Sequence, residues 1–144
     1  MTDEQEVTHT PNRAPTPPRW PRLLFRIVIT GEALLALDQA ALAGGFLSGN
    51  YSALGMHAAG AAATALAAVL LTITAVLLWR PGRGPGWPAV ASAVLFTAEG
   101  VEIGLGYGRV LALHVPLGTA IIASALLMLV WAWRPVRQSS EEQA

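Results

Sequence analysis

Between Met56 and Trp79 the chain runs for 24 positions without a charged residue. At about 1.5 Å per residue such a helix exceeds the roughly 30 Å hydrocarbon core of a bilayer, and no soluble fold of this size accommodates it. Three further apolar stretches repeat the signal: 23–47, 89–106 and about 112–133. Of all residues 53% are hydrophobic, only 12% are charged and mean hydropathy is +0.49, as expected of a chain that is mostly membrane span. The pattern predicts an all-α membrane protein, a bundle of four transmembrane helices filling residues 19–136. Residues 1–18, with four Pro among polar and acidic side chains, read as a disordered tail, and 137–144 as a polar one. The first stretch reads as a retained helix rather than a signal peptide, being too long and carrying Glu32 and Asp38.

Charge distribution gives the expected orientation. The nine basic residues are all Arg, and they balance nine acids, so net charge makes no case for a nucleic-acid partner. Arg13, Arg19, Arg22 and Arg26 precede the first span, Arg80 and Arg83 separate the second and third, and Arg134 and Arg137 follow the fourth. The positive-inside rule makes that side cytoplasmic and predicts a multi-pass protein of the cell membrane with both termini inside. Only Arg109 falls outside. All five Trp lie at the inner boundary, and Tyr51 and Tyr107 at the outer.

The chain also repeats itself. Shifted by 60, Q-x-x-L-A-G-G-F from Gln39 overlies E-x-x-E-I-G-L-G from Glu99; shifted by 57, Leu54 overlies Leu111 and His57 overlies His114. The outer loop is then expected to be three residues shorter in the second copy. Both copies end in W-R-P, and each forms a helical hairpin of the same orientation. His57 and His114 therefore open the second and fourth helices and should face one another near the outer surface. The partial positive charge of a helix N-terminus favours neutral imidazole, the form that ligates metal. The plainer reading of each is an interfacial side chain bonded to water or a loop carbonyl.

Glu32, Asp38, Glu99 and Glu102 lie within the spans, where each exposed acid costs roughly 2.5–3.5 kcal/mol or more at mid-membrane. All four are expected to face the interior, with Asp38, Gln39, Glu99 and Glu102 in the outer half and Glu32 nearer the cytoplasm. They serve either as hydrogen-bonded glue between helices, as partners of the His, as direct ligands or as a proton path. Gly44, Gly45, Gly60, Gly104, Gly106 and Gly118 gather in the same half, for close helix packing or to leave room for a flat macrocycle.

The segment Asp38 to His57, followed by an Ala/Leu-rich helix, and its second copy from Glu99 to His114 resemble a haem-carrying hairpin of the haem A synthase family. In that family a Gln and glycines in one helix precede a loop and a His that opens the next. Over residues 24–133 the chain resembles one four-helix half of that family. The resemblance implies one b-type haem held by His57 and His114, with helper roles for Gln39 and Glu99. The family's Glu three residues before a His and Arg just after it are absent, Leu54 and Ala58 standing there in the first copy and Leu111 and Val115 in the second. Its oxygenase chemistry is therefore not implied. The missing second half implies a homodimer or a simpler one-haem task with a redox partner.

Two axial imidazoles leave no open position and favour electron transfer, and without Cys no covalent attachment forms. Arg109, with Tyr51, Asn50 and Tyr107, is positioned either to meet propionates or, for Arg109, to anchor the interface. A bare divalent metal on His57, His114 and Glu99 or Glu102 is a variant. A small proton-coupled transporter using the intramembrane acids is the alternative of another class, and a non-catalytic subunit or assembly factor a third. No Ser-His-Asp set, phosphate loop or nucleotide motif is present.

Overall fold

The computed structural model describes residues 18–135, so both tails lie outside the described residues. Four helices occupy nearly all of it: α1 Trp20–Leu47, α2 Ser52–Trp79, α3 Trp87–Tyr107 and α4 Leu111–Trp133. Each is long and apolar enough to cross a membrane. The protein is an all-α, multi-pass membrane bundle, with helices starting one to four residues before the apolar stretches do. Trp20-Pro21 and Trp87-Pro88 explain two of those earlier starts: Pro in a first turn has the right φ, and its missing N–H would have no intrahelical partner there anyway. At the other end of the last hairpin, Arg134 is extended (φ −59°, ψ 139°) because the residue before Pro135 is disfavoured in the helical region.

The helices form a ring in chain order. α1 packs on α2 and α4, and α3 on α2 and α4, while across the two diagonals no Cα atoms approach within 8 Å. Ala33, Ala36, Ala68, Ala75 and Ala125 are buried along the contacts, letting the helices approach closely, whereas Leu34, Leu66, Val90, Val94 and Leu127 point outward, as lipid-facing side chains should. Hydroxyls within the spans turn back on their own helices: Thr30 Oγ1 donates to Arg26 O at 2.7 Å and Ser92 Oγ to Pro88 O at 2.7 Å. They are satisfied without a partner helix, and none of the described ones donates to Glu32, Glu99 or Glu102.

An aromatic layer holds the Arg-rich end. Trp131 meets Phe25 edge-on at 6.1 Å and Trp87 at 4.6 Å. Arg26 Nε donates to Ala132 O at 2.8 Å and its guanidinium lies 5.0 Å from the Trp133 ring, tying the first helix to the last. Above this layer Ile29, Leu71, Leu95 and Ala125 fill the middle of the ring.

The opposite end corrects the expected repeat. The turn after α1 and the turn after α3 use the same backbone bonds at a constant offset of 60: Ser48 N to Gly44 O and Gly108 N to Gly104 O, Asn50 N to Gly45 O and Val110 N to Leu105 O, Ala53 N to Asn50 O and Leu113 N to Val110 O. The second turn is therefore not three residues shorter. Leu54, not His57, corresponds to His114, and His57 sits three residues, about 4.5 Å, further along its helix. Pro116 is the sixth residue of α4, beyond its first turn, and leaves the Ala112 carbonyl without its usual helical donor. Gly49 (φ 95°) and Arg109 (φ 57°) occupy the same left-handed position in the two turns. Glycine adopts it freely, so Gly49→Val is expected to lower stability by roughly 1–2 kcal/mol, and Arg109→Gly to leave it unchanged or higher, in detergent unfolding.

Candidate functional site

His57 and His114 converge. They stand on α2 and α4, the diagonal pair of the ring, and their ring centroids lie 6.1 Å apart with planes at 81°. His57 Nδ1 is 3.0 Å from Gln39 O on α1, and His114 Nδ1 is 3.1 Å from Glu102 O on α3. A carbonyl oxygen only accepts, so in each ring Nδ1 carries the hydrogen, and in the neutral imidazole Nε2 is then the nitrogen with the lone pair. The stagger of the two His is matched by their partners, since Glu102 lies three residues past Glu99, the repeat position of Gln39. Each imidazole is thus held in the same way one turn apart.

Both side chains that flank the pair sit in glycine notches. The Gln39 amide fills the space where a Cβ at Gly60 would be, and Glu102 Oε1 would lie 2.7 Å from a Cβ at Gly118; at Gly106 a Cβ would come within 3.0 Å of the His114 ring. The inward glycines therefore accommodate polar side chains of the neighbouring helix, while Gly44 and Gly104 face outward with open space beside them. Glu102 Oε1 also meets His114 Nδ1 at 3.0 Å, but Glu102 Oε2 and Gln39 Nε2 are buried with no hydrogen-bond partner. Gly60→Val is expected to push the Gln39 side chain out of its notch towards His57. A binding site formed by the His pair should then weaken by about tenfold, as in other changes to residues that support a ligand.

The four intramembrane acids do not behave alike. Glu32 is fully buried and Glu99 is 4% exposed, and their carboxyl groups face each other across the α1–α3 diagonal. Glu32 was expected nearer the cytoplasm and Glu99 in the outer half, yet they share one level. Each lies twelve residues after the Trp of a Trp-Pro helix start, Trp20 for one and Trp87 for the other. That offset of 67 was the available signal, hidden because the repeat was aligned from the outer loops. Apart from the opposing carboxyl, no protein donor among the described residues reaches any of the four oxygens. Asp38, expected inside, is exposed on the outer face of α1 and takes no part in the site. Its α1 neighbours Glu32 and Gln39 share the inward face, and Asp38 lies about 100° round the helix from Gln39, on the exposed side. Arg109 is exposed in the α3–α4 turn at the His end.

Two imidazoles on one metal ion, with bonds of about 2.0–2.1 Å and each ring centre about 1.1 Å beyond its nitrogen, have centroids about 6.2–6.4 Å apart. The observed centroid spacing and the orphaned Gln39 and Glu102 atoms beside the rings are compatible with two His ligands on one iron. They suit a bare divalent ion less well, because among the described residues no three His, Asp or Glu side chains are placed to hold one. No family model, curated protein or solved structure matches the chain.

Proposed function

We propose that this membrane protein binds one b-type haem between His57 and His114 and uses it for electron transfer or haem handling. One observation carries the reading: the two imidazoles converge to a centroid spacing of 6.1 Å while each is anchored through Nδ1 to a backbone carbonyl, so that Nε2 is the nitrogen left for a metal. His57 and His114 would hold the group, which would supply single-electron transfer rather than oxygen activation. The chain's own part is to aim the two rings, to keep them dry among α1 and α3, and to offer Gln39 and Glu102 as polar neighbours of the macrocycle edge. Arg109 supplies the one described cation at the His end for propionates. The Arg-rich end faces the cytoplasm of the cell membrane in this reading, so a redox partner or second copy meets the haem from the outer side.

Titration of the purified protein with haemin tests it. Binding should saturate at one haem per chain, with a low-spin spectrum that carbon monoxide does not alter in the reduced state. Linear, unsaturable uptake would rule the reading out.

The Glu32–Glu99 pair favours a second reading, proton-coupled transport. Two carboxylates cannot share a dry site as two bare charges, so the pair must hold a proton or a cation. In that case Glu32→Gln and Glu99→Gln abolish proton movement in vesicles, while His57→Ala and His114→Ala leave it intact.

A further inference from the structure

The Arg-rich end contains a cavity that neither reading uses. It is about 270 Å³, room for about nine waters, and is lined by Arg22 and Phe25 of α1, Leu78 of α2, Pro85 of the α2–α3 linker, and Trp131 and Arg134 at the end of α4. Its walls come from three helices and a linker, so it is a pocket of the fold rather than a dimple in one element. Phe25 and Leu78, 1% and 3% exposed, belong to the packed core and give it a fixed apolar floor.

The arginines at this end divide into two kinds. Arg26 is occupied by Ala132 O and the Trp133 ring, and Arg80 lies 4.4 Å from the Trp79 ring. Arg22 and Arg134 line the cavity, and among the described residues neither guanidinium has a hydrogen bond, ion pair or aromatic partner. The four described acids, Glu32, Asp38, Glu99 and Glu102, all lie at least six residues deeper into the helices than Arg26 or beyond α3's midpoint, away from this mouth. Two planar forks with ten N–H donors between them, over an apolar floor and with no carboxylate among the described residues to neutralise them, are the donor set that recognises a tetrahedral oxyanion.

We propose that this cavity binds a phosphate group, carried either by an anionic phospholipid headgroup or by a soluble phosphate ester, with Arg22 and Arg134 gripping the oxygens and the adjoining carbons resting on Phe25 and Trp131. The Arg-rich end lies at headgroup level, where anionic lipid is the abundant source of that chemistry. Positive charge on this face has a topological role as well, which Arg19, Arg80 and Arg83 fulfil without lining the cavity.

The full chain is reconstituted in nanodiscs of equimolar phosphatidylcholine and phosphatidylglycerol, and the lipids it retains are counted by native mass spectrometry. In a second arm, inorganic phosphate and glycerol 3-phosphate are titrated into the chain in phosphatidylcholine nanodiscs and followed by phosphorus NMR. A lipid source gives about tenfold preferential retention of phosphatidylglycerol; a soluble source gives saturable binding in the second arm. Either signal should disappear in R22Q/R134Q and persist in R19Q/R80Q, which removes the same charge outside the cavity. R22K/R134K keeps charge and topology but loses the forks, and it should lose most of the signal. No preference in either arm, equal loss in R19Q/R80Q, or full retention in R22K/R134K overturns the proposal.

Discussion

His57→Ala and His114→Ala should each lower haem retention at least tenfold and turn what remains five-coordinate and high-spin, and the double variant should be colourless. A lone imidazole still ligates iron, but it loses the second bond and the opposing anchor that fixes the plane of the macrocycle. The variants are expected to keep the fold. Both His are only part-buried near the end of the bundle, and the packed centre is made by Phe25, Ile29, Leu71 and Leu95 on the far side of the Glu pair. Helical circular dichroism of each variant should therefore match the wild type while its absorbance does not. If the single variants retain haem as the parent does, the ligands lie elsewhere. The supporting contacts make a finer comparison: Gln39 reaches His57 through its backbone carbonyl, so Gln39→Ala should preserve that bond and change affinity less than His57→Ala does.

The second large effect concerns stability. Glu32→Leu leaves the Glu99 carboxyl buried alone with no donor, and this should cost about 1–3 kcal/mol, measured by unfolding in mixed micelles. Glu99→Leu should cost a similar amount. The double variant, with both polar groups replaced by side chains of similar volume, should recover most of the loss or exceed the parent, because an apolar pair in a bundle interior needs no desolvation. The resulting coupling of about 0.5–3 kcal/mol is the signature of two groups that satisfy only each other. Additive losses would mean that each carboxyl has a separate partner. Both lie at one level of the ring, on helices whose backbones do not touch, so their side chains form a direct link between α1 and α3.

The four spans were legible because bilayer thickness and the Arg- and Trp-rich boundaries act locally on sequence. The meeting of the two His was legible from the repeat, although for an imperfect reason. Aligning His57 with His114 required a loop deletion that the turns do not contain, and the rings meet because His57 and its Gln39 carbonyl are both displaced by one turn relative to His114 and Glu102. What was not legible was facing. Helix rotation is set by packing against neighbours, so Asp38, one residue from inward-facing Gln39, could be assigned outward only once α1 was seen against α2 and α4. The Glu32–Glu99 contact needed a second alignment, made from the inner helix starts, because the first hairpin is longer than the second: α1 and α2 have 28 residues each, α3 has 21 and α4 has 23. A single offset cannot register both ends of hairpins of unequal length.

Electron paramagnetic resonance of the ferric, haem-loaded protein addresses the central proposition most directly. Two axial imidazoles with planes near 81° produce a strongly anisotropic low-spin signal, distinct from the rhombic signal of parallel rings. The account predicts that anisotropic signal, at one spin per chain. A high-spin signal, or none above that of free haemin, would contradict it.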